Sequence, residues 1–280
     1  MIKKSSFARV WFTVCMLFGA WAPLYANTPQ DSDVGDLLDT IIQSPHRTEA
    51  NRLRDQYRNP KETLLFFGLR PDMTVVEISP ANGWYTEIIG PLVKNQGIFY
   101  AAVPALTDDM PEAMKRRDVT YRQMLKSAPE LYGKPMVNVY KSEAPQFAPD
   151  GVADLVVTFR NVHNWAKTGH TSSMFKGFYK SLKPGGVLGV VEHRAKPGTS
   201  LPQQIESGYM TEEFVIDIAT TAGFKLLRKS EINSNPLDMK DHPGGVWNLL
   251  PNLRNVAEID KPRYRAIGES DRMTLQFVKP

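Results

Sequence analysis

The side chains best suited to chemistry fall in the stretch "RNVHNW", which follows an apolar run. His163 is of the residue type that most often acts as a general base near neutral pH. Asn161 and Arg160 could orient a substrate beside it, and Trp165 and Tyr85 could form the walls of a pocket. A structural alternative stays open, in which His163 bonds a backbone carbonyl and Trp165 packs against a helix.

A second histidine, His193, follows another apolar run in the stretch "EHRA". It could contact a substrate, but a pair with the adjacent Glu192 is the favoured interpretation. None of the histidines has the H-E-x-x-H spacing of a zinc site, so the sequence predicts no metal. It also has no G-x-S-x-G stretch, which argues against an α/β-hydrolase.

These residues need a frame of strands to bring them together. From Lys61 onward, short apolar runs alternate with helical stretches, as is typical of parallel strands covered on both faces. Residues 233–271, before the last run "MTLQFVKP", show no convincing helix, which indicates an antiparallel pair. The sequence predicts an α/β, Rossmann-like sandwich with a seven-stranded, mostly parallel sheet and an antiparallel last strand. In such sheets ligands bind at the carboxyl ends of the strands.

The stretch "VVEISPANGWYT" begins in the first predicted strand and ends in a helix. It resembles the first motif of class I S-adenosylmethionine-dependent methyltransferases, an acidic residue followed by three alternating glycines. The stretches "FAPDGVADLVVTFRNVHNW" and "SLKPGGVLGVVEHR" resemble that family's fourth strand with its substrate loop, and the entry to its fifth strand. The resemblance covers about residues 61–280, and exported members of the family are the most similar group. A nicotinamide-binding Rossmann domain is disfavoured, because no G-x-G-x-x-G opens a helix.

The resemblance implies S-adenosylmethionine as the cofactor and a set of residues that hold it. The set comprises Glu77, Ser79, Ala81, Asn82, Gly83, Ser142 and Glu143. Glu77 takes the family's acidic position, and the last two residues stand where the family often contacts the adenine. Two glycine positions hold Ser79 and Ala81, whose β-carbons disfavour left-handed backbone angles. Because asparagine tolerates such angles best, we expect the turn to place them at Asn82 and Gly83.

A second departure from the family concerns the end of the second strand. The resemblance implies an acidic residue there, which would hold the ribose hydroxyls, but the chain has Ala102 and Val103. Asp108 and Asp109 could reach the ribose only if their loop folds back.

The resemblance implies methyl transfer from S-adenosylmethionine to a small-molecule acceptor, with His163 as the base where the acceptor must lose a proton. The alternative is a non-catalytic exported binding protein that retains the fold. An acid that reaches the ribose would favour the enzyme, and an apolar filled cleft would favour the binding protein. Two inserted segments, 104–134 and 233–271, contain methionine and aromatic residues and are predicted to form a lid over an apolar or aromatic acceptor.

The first 26 residues have a basic start, an apolar run and a small residue, Ala26, at a possible cleavage site, which predicts a signal peptide. An uncleaved anchor is the alternative, although the apolar run is short for a membrane span. We therefore expect an exported protein, periplasmic or secreted, with no stable membrane span after cleavage. The only cysteine, Cys15, would be lost with this segment, which leaves no disulfide and no thiol nucleophile.

The charge of the chain gives little reason to expect nucleic acid as a partner. Three of the 34 basic residues and none of the 30 acidic ones lie in residues 1–26, so the rest carries +1 rather than +4. Residues 27–60 are predicted to form an N-terminal helical arm before the domain at 61–280. Its charge-rich part predicts a solvated helix, although its arginines could instead reach over the cofactor site.

Overall fold

The protein is described by a computed structural model that covers Met1 and residues 29–280. Apart from Met1, the predicted signal peptide lies outside the described residues. The strands are β1 (Thr74–Ile78), β2 (Ile98–Pro104), β3 (Met136–Tyr140), β4 (Ala153–Phe159), β5 (Leu182–His193), β6 (Lys225–Ser230) and β7 (Arg272–Val278).

The α-helices of the described residues run before, between and after these strands. They are α1 (Pro29–Gln43), α2 (Glu49–Arg52), α3 (Asp55–Arg58), α4 (Pro60–Phe66), α5 (Thr86–Val93), α6 (Glu112–Ser127), α7 (Pro129–Tyr132), α8 (Val162–Thr168), α9 (Thr171–Ser181), α10 (Leu201–Ser207), α11 (Glu212–Thr221) and α12 (Lys261–Ile267). Short 3-10 turns lie at Gly245–Asn248 and Glu258–Asp260. None of these helices is long and apolar enough to cross a membrane.

The seven strands form one sheet in the order β3-β2-β1-β4-β5-β7-β6. Strands β1 to β5 pair in parallel, and β7 runs antiparallel between β5 and β6. The predicted fold class, with its antiparallel last strand, is therefore confirmed. Because β7 runs backwards, its first residue lies at the same edge as the ends of the parallel strands. We call this edge, marked by Ser79, Arg160, His193 and Arg272, the C-terminal edge.

Apolar side chains cover both faces of the sheet. On one face Phe175 and Phe178 of α9 pack on Val190, and on the other Leu38 of α1 joins a cluster with Phe67 and Ile88. Strands β1, β4 and β7 are nearly fully buried, and β1 and β4 are accordingly almost continuous apolar runs, whereas the edge strands β3 and β6 are largely exposed.

Some local predictions are wrong. The segment 233–271 contains α12 and two 3-10 turns, and the expected substrate loop after β4 is largely the helix α8. Both helices have seven residues, too few for the apolar periodicity that marks a longer helix. The start of α8 is instead fixed by tertiary contacts, described below.

Candidate functional site

The loop between β1 and α5 turns on three residues with left-handed backbone angles. The φ angle is +51° at Ser79, +55° at Ala81 and +78° at Gly83. Asn82 is not among the residues of positive φ, so the expected shift of the turn to Asn82 is wrong. The loop thus has unusual angles at each alternating position of the motif, two of them at residues with a β-carbon. Such strain persists where the surrounding structure imposes it, and it is common at functional sites.

Glu77 lies beneath this loop in the interior. Its side chain is 2% exposed and accepts a 2.6 Å hydrogen bond from Thr86 Oγ1, in the first turn of α5. Burial raises the pKa of Glu77 to about 8, and the Thr86 bond acts in the opposite direction. The Tyr121 hydroxyl lies 3.1 Å from Thr86 Oγ1, so α6 completes this buried network. Glu77 therefore ties the end of β1 to the start of α5.

The insertion at 104–134 packs below the loop rather than over an acceptor. A β-carbon at Gly83 would lie 2.7 Å from Met124 Cε and 3.0 Å from the Tyr121 ring, both on α6. The prediction that this segment forms a lid is therefore wrong for Tyr121 and Met124. A side chain at Gly83 would therefore require Met124 and the Tyr121 ring to shift.

A hydrogen-bonded bridge joins the ends of β1 and β3. Ser79 Oγ lies 2.6 Å from the Tyr140 hydroxyl, which also bonds the Trp165 side chain. Trp165 is 5% exposed and packs against Phe178, so it lies in the core as the structural alternative held, and not in a pocket wall. The bridge makes Ser79 a structural residue of the C-terminal edge.

The acidic residues near the end of β2 do not complete this site. Asp108 and Asp109 are exposed, and a hydrogen bond to Thr107 lowers the pKa of Asp109. The carbonyl of Ser142 accepts a hydrogen bond from Ser173 Oγ, while Glu143 is exposed and lies 3.5 Å from His170 Nε2. Within residues 33–280 no acidic side chain of β2 takes the ribose position.

A histidine–carboxylate dyad lies where β4 and β5 end. His163 Nδ1 is 3.0 Å from Glu192 Oε1, and both side chains are buried. Glu192 also accepts bonds from the backbone N–H groups of Val162 (2.6 Å), His163 (3.3 Å) and His193 (2.8 Å). The carboxylate therefore fixes the start of α8 and the orientation of the imidazole, whose Nε2 makes no hydrogen bond to a described residue.

The predicted pair of His193 with Glu192 is wrong for the side chains. His193 Nδ1 instead bonds Ser270 Oγ, just before β7, because Glu192 points across to β4 and α8. Burial, the neighbouring His163 and nearby arginines hold the pKa of His193 well below its usual range. The two imidazole rings lie 5.2 Å apart, so His193 borders the dyad as a neutral group.

His163, Glu192 and His193 bring possible metal-ligand atoms within 4.8 Å of one another. The spacing of the histidines along the sequence does not reveal this cluster. Each oxygen of Glu192 already accepts two N–H groups, and arginines lie on the same side. The cluster is better suited to moving a proton than to binding a cation.

The side chains of Asn161 and Tyr85 are engaged in contacts within the fold. Asn161 Nδ2 donates to the Ile78 carbonyl (3.2 Å) and to Thr158 Oγ1 (3.1 Å), which links the ends of β1 and β4. Tyr85 is 4% exposed and stacks on Phe159 with ring centroids 3.4 Å apart. Neither side chain is placed to line an open pocket.

The N-terminal arm docks on the loop. Trp84 lies between two guanidinium groups, at 5.0 Å from Arg47 and 4.5 Å from Arg58, and its Nε1 donates to the Asn51 carbonyl. Asn51 also donates to the Glu87 carboxylate. Arg47 and Arg58 are only 1% exposed, so the predicted solvated helix is wrong for both, and both guanidinium groups pack on Trp84 of the loop.

Four arginines surround one carboxylate at the C-terminal edge. We call Arg54, Arg58, Arg160 and Arg272 the arginine cluster. Glu269 contacts Arg54 Nε at 2.6 Å, Arg58 Nε at 3.1 Å and Arg272 Nη2 at 3.3 Å. The sequence does not mark Glu269 and Arg272 as functional residues. Their contacts with the arm join residues more than 200 positions apart, and no motif lies beside them.

A cavity of about 440 Å³ opens beside this edge, a size suited to small molecules. Its lining includes Met239 from the second predicted lid segment. The charges there are largely paired: Arg194 bonds Glu231 and Asp271, and Lys240 bonds Asp271. No arginine of the cluster lines this cavity, and its own charges are largely paired, so it is separate from the cluster and adds little net charge.

Solved structures share this fold. The chain is similar to an S-adenosylmethionine-dependent methyltransferase from Aquifex aeolicus, with 17% identity, a TM-score of 0.52 and coverage of 89% of this chain and 98% of that chain. It is also similar to the [4+2]-cyclase SpnF, with 13% identity, a TM-score of 0.56 and coverage of 88% and 92%. No protein-family model and no curated protein matches the sequence. The likeness shows a class I methyltransferase fold. The two named structures differ in activity, since one is a methyltransferase and the other a cyclase.

Proposed function

We propose that the protein transfers a methyl group from S-adenosylmethionine to a small-molecule acceptor. The observation that carries this proposal is the loop with left-handed angles at Ser79, Ala81 and Gly83. Two of these residues hold such angles despite their β-carbons, which is unfavourable by about 1–2 kcal/mol each. A loop of this shape between a buried strand and a helix lets a ligand approach the backbone closely.

The described residues fit the cofactor at one end of the site. The loop backbone and the first turn of α5 would hold its amino-acid part, and the segment at Ser142 and Glu143 would lie towards its adenine. At the ribose, β2 ends in Ala102, Val103 and Pro104 and offers no carboxylate. The ribose would then be held by weaker contacts, and we expect moderate affinity.

The dyad supports a base-assisted reaction. S-adenosylmethionine supplies a methyl group already activated by its sulfonium, so positioning provides much of the catalysis. The Glu192 carboxylate favours the tautomer of His163 with a proton on Nδ1, because Nδ1 then donates to it across 3.0 Å. Nε2 is thereby left as an acceptor for a proton from the substrate. His193, kept neutral beside it, does not repel the positive charge that develops on His163.

Isothermal titration of the purified 280-residue chain with S-adenosylmethionine and S-adenosylhomocysteine tests the proposal. We expect a Kd of about 1–100 µM, and binding at least about tenfold weaker in Gly83→Ala. A β-carbon at Gly83 would be strained at a φ of +78° and would meet Met124 Cε at 2.7 Å and the Tyr121 ring at 3.0 Å, so the loop or these side chains must shift.

Gly151→Ala is the matched control. Gly151 also has a positive φ, +65°, but a β-carbon there meets nothing within 4 Å, and it lies before β4 at the opposite edge of the sheet. Its affinity should equal that of the unmodified chain. Absence of heat with both ligands in all variants would contradict the proposal.

A non-catalytic binding protein is the second candidate. It is favoured by the missing carboxylate at the end of β2 and by the bridge from Ser79 to Tyr140, which fills part of the C-terminal edge. If neither cofactor form binds while the protein remains folded, this candidate takes precedence.

We also propose that the protein acts outside the cytoplasm after removal of residues 1–26. The basic and apolar pattern of this segment supports export. Mass spectrometry of the protein from fractionated host cells should find a chain that begins near Asn27. A chain with an intact N terminus in the cytoplasmic fraction would refute export.

A further inference from the structure

The arginine cluster holds more positive than negative charge. Among the described residues, Glu269 is the one acidic side chain at ion-pair distance from these arginines. Asp55 and Glu87 pair instead with Arg47, which lies outside the cluster. Arg58, Arg272 and Glu269 are all nearly fully buried. Buried charge is strongly unfavourable unless it is paired and hydrogen-bonded.

Several donors of the cluster have no partner. Arg58 Nη2 and Arg54 Nη2 are buried and make no hydrogen bond. The side chain of Arg160 makes no hydrogen bond or ion pair with a described residue, although the chain holds Arg160 at a left-handed φ of +60°. Arg160 is only partly buried, so a ligand at the C-terminal edge can reach it.

The electrostatics agree with this geometry. Burial and the neighbouring arginines hold the pKa of Arg58 well below its usual range, and burial lowers the pKa of Arg160 to about 10. The same arginines hold the pKa of Glu269 at about 2, against the effect of its burial. The other titratable groups that face the cluster are Tyr85 and His193. Neither is an anion near neutral pH, so neither balances the charge.

The cluster adjoins the dyad. Arg160 directly follows β4, three residues before His163, and His193 lies close enough to Arg160, Arg272 and Arg58 for their charges to act on it. A group bound by the arginines would therefore hold the rest of a small molecule beside the imidazole of His163.

We propose that Arg54, Arg58 and Arg160 bind a carboxylate of the acceptor, so that the substrate is a small organic acid whose reacting group faces His163. The assignment as an acceptor rests on the proposed methyl transfer, whereas the anion site itself does not. Guanidinium groups bind carboxylates through pairs of N–H groups on one edge, and Arg54 and Arg58 each keep one such N–H free beside Glu269. A phosphate would use the same donors, and the test separates the two.

The test is titration of the full chain, at constant ionic strength, with acetate, benzoate, inorganic phosphate and benzamide. Benzamide has the shape of benzoate without its charge. We expect acetate or benzoate to bind and benzamide not to bind. Arg160→Gln and Arg54→Gln should each weaken carboxylate binding at least about tenfold, the loss expected for a charge-assisted hydrogen bond.

Arg117→Gln is the matched control, because Arg117 is exposed on α6 and should leave binding unchanged. Thermal unfolding of each variant checks that it is folded. Arg54 and Arg160 are replaced rather than Arg58, because both are partly exposed and their replacement disturbs the core less than a change at the buried Arg58.

Four results would overturn the inference. The first is no binding of acetate or benzoate up to about 10 mM, well beyond a millimolar Kd. The second is equal binding of benzoate and benzamide. The third is carboxylate binding that Arg160→Gln and Arg54→Gln leave unchanged. The fourth is binding of phosphate alone, which would replace the carboxylate with a phosphorylated ligand. Carboxylate binding without any binding of S-adenosylmethionine would uphold the anion site and refute methyl transfer.

Discussion

Replacement of Ala81 by glycine should stabilise the protein, although alanine-to-glycine changes usually destabilise. Ala81 has a φ of +55°, where its β-carbon is unfavourable by about 1–2 kcal/mol. The residue is exposed, so loss of the methyl group removes no packing. Glycine also lowers the free energy of unfolding by about 0.5–1 kcal/mol, because it gives the unfolded chain more conformational freedom. We therefore expect the free energy of unfolding to rise by up to about 1.5 kcal/mol.

The assay is urea unfolding of Ala81→Gly beside Ala113→Gly. Ala113 is exposed too, but it lies in the first turn of α6 with a helical backbone, where glycine is unfavourable by up to about 1 kcal/mol. The same chemical change should thus have opposite signs at the two positions. The slope of the transition should stay constant, so that the midpoint alone reports stability.

A loss of stability in Ala81→Gly as large as that in Ala113→Gly would refute the reasoning. It would mean that the loop does not hold a left-handed angle at this position, and the proposed cofactor cradle would lose its main support.

Three further predictions concern buried groups. Because the pKa of Glu77 is about 8 in the folded protein and 4.5 ordinarily, the folded state keeps a proton that the unfolded state has lost between these pH values. The equilibrium constant for folding should therefore fall about tenfold for each pH unit as pH rises through that window. Urea unfolding at several pH values should show this extra slope in the unmodified chain and not in Glu77→Gln, and equal slopes would contradict it. Nitrogen-15 NMR should find His163 with its proton on Nδ1, a preference that Glu192→Gln removes; a proton on Nε2 alone would exclude its role as base. Glu269→Gln should lower the free energy of unfolding by about 3–5 kcal/mol, since it leaves the arginines without their carboxylate, and an unchanged urea midpoint would disprove the pairing.

The fold could be predicted because most of the parallel strands are apolar runs separated by helical stretches. Such runs depend only on burial on both faces, which local sequence reveals. The strand order and the antiparallel direction of β7 follow the pattern of the family that the sequence resembles.

The backbone of the loop could not be predicted from residue preferences. Asn82 is the residue that best tolerates a left-handed angle, yet Ser79 and Ala81 adopt it. The ends of the loop are fixed by the pairing of Ile78 with Ala102 and by the contact of Gly83 with α6. These tertiary constraints override local preference.

The burial of the arginines could likewise not be predicted from the local sequence. A stretch with charges on most faces is typical of a solvated helix. Arg58 is buried because Trp84 stacks against it and Glu269 pairs with it, and the second partner lies 211 residues away along the chain. The position of His163 at the C-terminal edge, by contrast, could be predicted, because the stretch "RNVHNW" directly follows an apolar strand.

The insertion of β7 between β5 and β6 has a consequence for folding during synthesis. Strand β6 pairs only with β7, and β5 lacks its second neighbour until Arg272–Val278 has left the ribosome. Ser270, which bonds His193, and Glu269, which pairs with Arg54 and Arg58 of the arm, belong to the same late segment. Arg54 and Arg58 are synthesised more than 200 residues before Glu269, so their charges stay unpaired until synthesis is almost complete. Such non-local contacts slow folding. Until then the nascent chain exposes an unpaired strand edge, which makes it a natural client for chaperones.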